Sequence, residues 1–113
     1  MTGQSDSPAR LLGLARRAGK LICGMDAVLN AIAGGRAILV IVAEDAAPAT
    51  ADKIRNSCSK GRQSLTCIGW GTTRSLAAFS GKDKTAVLAV CDSNFAAGIK
   101  QYLQVDGRLL FKQ

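Results

Sequence analysis

Residues 37–43 read Ala-Ile-Leu-Val-Ile-Val-Ala, an unbroken apolar run. A strand with one wet face alternates apolar and polar positions, so a run of this kind suits a central strand covered on both faces. Such a strand needs helices above and below it, and the flanking sequence supplies them. Ser7-Pro8 reads as a helix start, with Ser as cap and Pro at the first helical position. Leu11, Leu14, Ala15 and Ala18 then share an apolar face, with Arg10, Arg16 and Arg17 outside it, until Gly19 ends the helix. Lys20 to Cys23 reads as a short strand. Gly24 opens a second helix in which Ala27, Val28, Ala31 and Ile32 share one face, and Gly34-Gly35 closes it.

The second half repeats the alternation. Pro48 starts a helix with Ala51, Ile54 and Cys58 at three- and four-residue spacing. Leu65 to Ile68 is a strand, closed by Gly69-Trp70-Gly71, and Thr72 or Thr73 caps a short helix through Phe79. Lys84 to Cys91 is a further strand, and Phe95, Ala96, Ile99 and Leu103 line a last helix. This order predicts an α/β/α three-layer sandwich around a four-stranded mixed sheet. It forms one domain over residues 8–104, after a polar, disordered lead-in at 1–7. The tail 105–113 is compatible with a short strand, a docked segment or a frayed end.

Several functions are excluded by residues that are missing. The chain has no His, which removes Ser-His-Asp and Cys-His chemistry, and it contains neither a GxxxxGK[ST] loop nor GxGxxG. The four cysteines, Cys23, Cys58, Cys67 and Cys91, lack CxxC spacing and read as buried reduced thiols rather than zinc ligands. Glu44-Asp45, at the carboxyl end of the central strand, could in principle hold magnesium, but the simpler reading is a turn in which Asp45 bonds its own backbone and helps cap the helix from Pro48. No cofactor, metal, small-molecule substrate or catalytic residue is expected. No stretch reaches the roughly 18 apolar residues of a membrane span, and a cytoplasmic location follows.

Charge points instead to a polyanion. Fifteen Lys and Arg against eight Asp and Glu give a net charge of +7, which favours nucleic acid. Arg16, Arg17 and Lys20 precede the Gly24 helix start, and Lys82 and Lys84 form a basic loop before the last strand. A helix N-terminus presents unpaired N–H groups and partial positive charge, so cations grouped around it suit phosphate. Lys53, Arg55, Lys60 and Arg62 make a second basic surface.

The run LLGLARRAGK, GMDAVLNAIAGG and IVAEDAAP, residues 11–48, resembles the L7Ae/L30e type of ribosomal protein, most closely its small bacterial YlxQ-like branch. The likeness covers roughly residues 8–104. Members bind RNA, often at kink-turns, and the resemblance implies that Gly24, Met25, Asp26 and Asn30 begin the RNA-reading helix. Kink-turn binders carry Asn and Glu after that Gly and a Lys one turn later; here those positions hold Asp26, Ala27 and Asn30. Glu44 and Asp45 match the family's acidic turn, although the Glu that some members have before the Pro is Ala47. Lys82 and Lys84 match the loop near the flipped-out nucleotide, and Lys60 a backbone-touching position. The expectation is a non-enzymatic ribosome- or RNA-associated protein with altered or weak sequence specificity. The alternative is a protein–protein interaction scaffold on the same fold.

Overall fold

The computed structural model describes residues 8–60, 65–81, 84–105 and 109–112. In chain order these form α1 (Pro8–Arg17), β1 (Leu21–Cys23), α2 (Met25–Ala33), β2 (Leu39–Val42), α3 (Pro48–Ser59) and β3 (Thr66–Gly69). Then come α4 (Thr73–Leu76), a 3₁₀ turn (Ala77–Phe79), β4 (Val87–Val90), α5 (Ser93–Val105) and β5 (Leu109–Lys112). The sheet order is β1-β4-β2-β3-β5. β2 and β3 run parallel, while β4 lies antiparallel to both β1 and β2. The tail therefore settles as a strand: β5 pairs antiparallel with β3 and adds a fifth strand to the four expected. The lead-in 1–7, including the Ser7 cap, lies outside the described residues, as do Arg62 and Lys82.

All four residues of β2 are buried, and their alternation divides the core in two. Val40 and Val42 join Val87 and Ala89 of β4 under Val28, Ala31, Ile32, Ile54 and Cys58 of α2 and α3. Leu39 and Ile41 join Leu88 and Val90 against Leu12 of α1, Leu76 of α4, and Ala96 and Ile99 of α5. An apolar run without alternation thus meets two helical layers, as a doubly covered strand requires.

Some side chains fall elsewhere than their spacing suggested. In α1 the buried residues are Leu12 and Ala15, whereas Leu14 is 36% exposed and Ala18 is exposed. The helix packs against α5, with the Leu11 side chain close over Gly98, and the inward face centres on Leu12 and Ala15. Ala27 is exposed, not part of the inward face of α2. Of the cysteines, Cys58 and Cys67 are buried, but Cys23 and Cys91 at strand ends are only half-buried, and all four are free thiols. The thiol hydrogen bond to Cys58, together with burial, pushes the Cys67 thiol well above the usual range. Among the described residues, no helix is long and apolar enough to cross a membrane.

Truncating a fully buried side chain of the central strand leaves a cavity between the sheet and the helical layer it faces. Ile41→Ala is expected to lower stability by about 2–5 kcal/mol in urea titration, while Leu14→Ala changes it by less than about 1 kcal/mol.

Candidate nucleic-acid interface

Because β4 is antiparallel to its neighbours, its first residues lie beside the last residues of β1 and β2. The Gly24 N–H donates to the Val87 carbonyl at 3.1 Å, and the Ala43 N–H to the Ala86 carbonyl at 2.8 Å. One end of the sheet therefore gathers the start of α2, the Glu44-Asp45 turn, the start of α4 and the segment entering β4.

Gly24 sits at φ 99° and ψ 154°, a left-handed conformation that a side chain would strain. Its carbonyl accepts the Val28 N–H at 2.9 Å to begin α2. No side chain caps this helix, so the N–H groups of its first turn point outward with the positive end of the helix dipole. Asp26, Ala27 and Asn30 are exposed on α2, while Met25 is half-buried and packs on the core. Met25 thus supports the helix from below and does not stand on its outer face.

Asp45 does not cap α3, as its sequence position suggested. One carboxylate oxygen accepts the Thr73 backbone N–H at 2.7 Å, and the other accepts the Thr73 hydroxyl at 3.1 Å. The partner lies 28 residues away, and Ala47 stands at the start of α3 with no side-chain cap. The Thr73 amide is the main cause that holds the Asp45 carboxyl below its usual range; the positive charge of Lys84 adds to it. Thr72 and Ser75 complete a reciprocal capping box on α4. Both Asp45 oxygens thus tie the turn after β2 to the start of α4. No group of three metal-ligating side chains occurs among the described residues.

The basic residues divide between the two ends of the sheet. The Arg16 guanidinium donates to the Ala78 carbonyl at 3.4 Å and reaches to 3.6 Å from a Cβ built on Gly81. This holds a cation against the turn that leads to Lys84. Phe79 on that turn accepts the Cys23 thiol at 3.4 Å, at the end of β1. Arg17 and Lys84 are exposed. Lys20 does not belong here, because its carbonyl accepts the Cys91 N–H at 2.9 Å at the opposite end of β1. Lys60 is also remote: it closes the far end of α3, roughly 18 Å from Pro48 at 1.5 Å per residue. Arg74 is exposed on α4, beside Thr73, and escaped the sequence reading although it follows the Gly69-Trp70-Gly71 turn. That turn is a plain connection. The Trp70 N–H bonds the Val42 carbonyl, the Gly71 carbonyl accepts the Glu44 N–H, and Trp70 packs half-buried on the core.

The fold and this end of the sheet describe a small α/β/α protein that presents an uncapped helix start amid cations. The sequence profile of the Ribosomal protein L7Ae/L30e/S12e/Gadd45 family matches residues 7–99, and the chain belongs to that family. It is 39% identical over 92 residues to a protein named RNA-binding protein YlxQ from Bacillus subtilis strain 168, covering 76% of this chain and 84% of the relative. A protein of the same name from Enterococcus faecium is 29% identical over 102 residues, covering 90% and 96%. Among solved structures, a Bacillus halodurans protein described as of unknown function superposes with a TM-score of 0.77 at 30% identity, covering 86% of this chain and 96% of that one. A Giardia lamblia 15.5kD RNA binding protein gives a TM-score of 0.72 at 19% identity over 86% and 84%, a likeness of fold.

The Asp45 contact is open to test. Because its folded-state value is depressed, its contribution is present at neutral pH and is lost as pH falls through the value of the folded state, below about 3.9. Asp45→Ala is expected to speed exchange of the Thr73 amide at neutral pH without unfolding the sheet, as read by NMR hydrogen exchange. Unchanged Thr73 protection would contradict the assignment.

Proposed function

We propose that this chain is a cytoplasmic, non-enzymatic RNA-binding protein that grips the RNA backbone at the α2 end of the sheet and reads bases weakly. The observation that carries the reading is the Arg16 guanidinium held against the Ala78–Gly81 turn, a cation fixed at the same sheet end as the uncapped α2 start. Arg17, Arg74 and Lys84 are exposed and add charge. The names of the two bacterial relatives agree with it.

Phosphate contacts position a protein, whereas base contacts specify. Ala27 has no hydrogen-bonding group, and Asp26 presents a negative charge to RNA where kink-turn binders have Asn. Both residues are exposed on α2, so the loss falls on a face available to a partner. The same loss favours a second reading, in which this face serves a protein partner.

Fluorescence anisotropy would use a kink-turn with tandem G·A pairs and the same RNA with Watson–Crick pairs in their place. Similar binding to both is expected, with log K falling against log salt at a slope of roughly −2 to −3 for three or four phosphates. Arg16→Glu, Arg17→Glu and Lys84→Glu together should weaken it at least about tenfold while leaving the circular dichroism spectrum unchanged. Absence of binding to either RNA would overturn the proposal in favour of a protein partner.

The lost specificity can also be put back. Asp26→Asn, Ala27→Glu and Asn30→Lys combined should favour the intact kink-turn over its repaired form by roughly ten- to a hundredfold, since a good base contact discriminates by about 1–3 kcal/mol. A triple variant that still binds both RNAs equally would show that α2 does not face the bases.

A further inference from the structure

The opposite end of the sheet has a construction of its own. α1 and α2 end alike: Gly19 and Gly35 take φ of 75° and 74°, and each is followed by a cation and then a strand. The Lys20 N–H bonds the Ala15 carbonyl at 2.8 Å, and the Arg36 N–H bonds the Ala31 carbonyl at 2.9 Å. The Gly19 and Gly35 N–H groups close the inner pair of each cap at 3.0 and 3.1 Å. The strands that follow, β1 and β2, flank β4. Lys20 and Arg36 therefore stand at the same end of the sheet, on either side of β4, with Arg36 in the cap of α2 ahead of Ile38.

Between them lies an open groove of about 440 Å³, with Cys91 and the half-buried Ile22 and Ile38 in its lining. Both cations are exposed. The one ion pair among the described residues joins Arg55 to Asp52 and involves neither. The acid next to the groove, Asp92, is committed to α5, where its carboxylate accepts the Asn94 and Phe95 N–H groups at 2.8 and 3.1 Å. A cation at a helix C-terminus complements the helix dipole, which accounts for each cation separately. It does not require the two to converge on one groove.

We propose that this groove is a second contact for RNA phosphates, so that one molecule spans two RNA segments. The proposal rests on the RNA-binding reading above and adds a site at the far pole of the sheet. Paired cations over apolar walls, open to solvent, suit a phosphodiester strand passing through rather than an enclosed small ligand. Lys60, exposed at the far end of α3, extends the positive surface at this pole.

The test uses the full chain and two RNA hairpins, one carrying a donor dye and the other an acceptor. The wild type should bring both hairpins together, with energy transfer and a sedimentation mass of one chain to two RNAs. Lys20→Glu with Arg36→Glu should keep one hairpin, lose the second with its energy transfer, and flatten the total salt slope by roughly 1.5–2. The milder Lys20→Gln with Arg36→Gln, offered against misfolding of the first variant, should weaken the second contact in the same direction. Energy transfer, stoichiometry and slope unchanged in both variants would overturn the second site, as would a wild type that binds one hairpin only. A wild type that binds neither hairpin would overturn the RNA reading itself, and this inference with it.

Discussion

Insertion of β4 between β1 and β2, antiparallel to both, is the constraint that places everything else. Its four residues are buried, so their backbone groups can be satisfied only by the flanking strands; a buried amide left unpaired costs about 1–3 kcal/mol. The same pairing fixes which loops meet. Where β4 begins, β1 and β2 end, and Gly24 and the Glu44-Asp45 turn come together. Where β4 ends, β1 and β2 begin, and Lys20 and Arg36 come together. A parallel β4 would have exchanged these neighbours and separated the α2 start from the loop that carries Lys84.

Tertiary contacts then hold the α2 end in shape. Asp45 links the turn after β2 to the start of α4 through the amide and hydroxyl of Thr73. The Thr85 N–H returns to the Thr73 carbonyl at 3.0 Å, which brings the segment entering β4 onto the same helix start. Arg16 joins α1 to the 3₁₀ turn that precedes that segment. The acidic turn thus serves the basic site by bracing it: Asp45 uses its oxygens within the protein and faces Lys84 closely enough for that charge to be felt. The Thr73 hydrogen bonds favour the ionised carboxylate, and the positive charge of Lys84 offsets it locally.

The layers of the fold were legible in the chain because period and punctuation are local properties. The run 37–43 implied two covering layers, and glycine pairs and prolines bounded the helices. Sheet order and strand direction are not local, and the misreadings trace to them. Lys20 lies four residues before Gly24 and was placed beside it, yet a three-residue strand carries the two to opposite ends of the sheet. Asp45 was given the nearest helix start as its partner, whereas the sheet offers it Thr73. Leu14 satisfied the helical period, yet Leu12 is the buried leucine of α1, since the period alone does not say which way a helix is turned toward its neighbours. The repeated glycine–cation step at 19–20 and 35–36 was visible throughout, and it acquired meaning only once β1 and β2 were known to flank the same strand.

The buried layers and the outer face of α2 are under different physical constraints. A side chain such as that of Val40 or Ile41 is fully buried between the sheet and one helical layer, so replacement leaves a cavity or forces neighbours aside. Asp26, Ala27 and Asn30 are exposed, touch nothing that the fold needs, and are restrained only by what binds them. The backbone N–H groups of the α2 start are different again, since they come with Gly24 and the helix and no exposed substitution removes them. A protein of this design can lose base reading while its capacity to hold phosphate persists. On the proposed reading, its +7 charge would act through many weak, salt-sensitive contacts rather than through a few directed ones. Spreading cations to both poles of the sheet is consistent with that mode of binding, because contacts that carry no sequence information gain from number and separation rather than from convergence on one base.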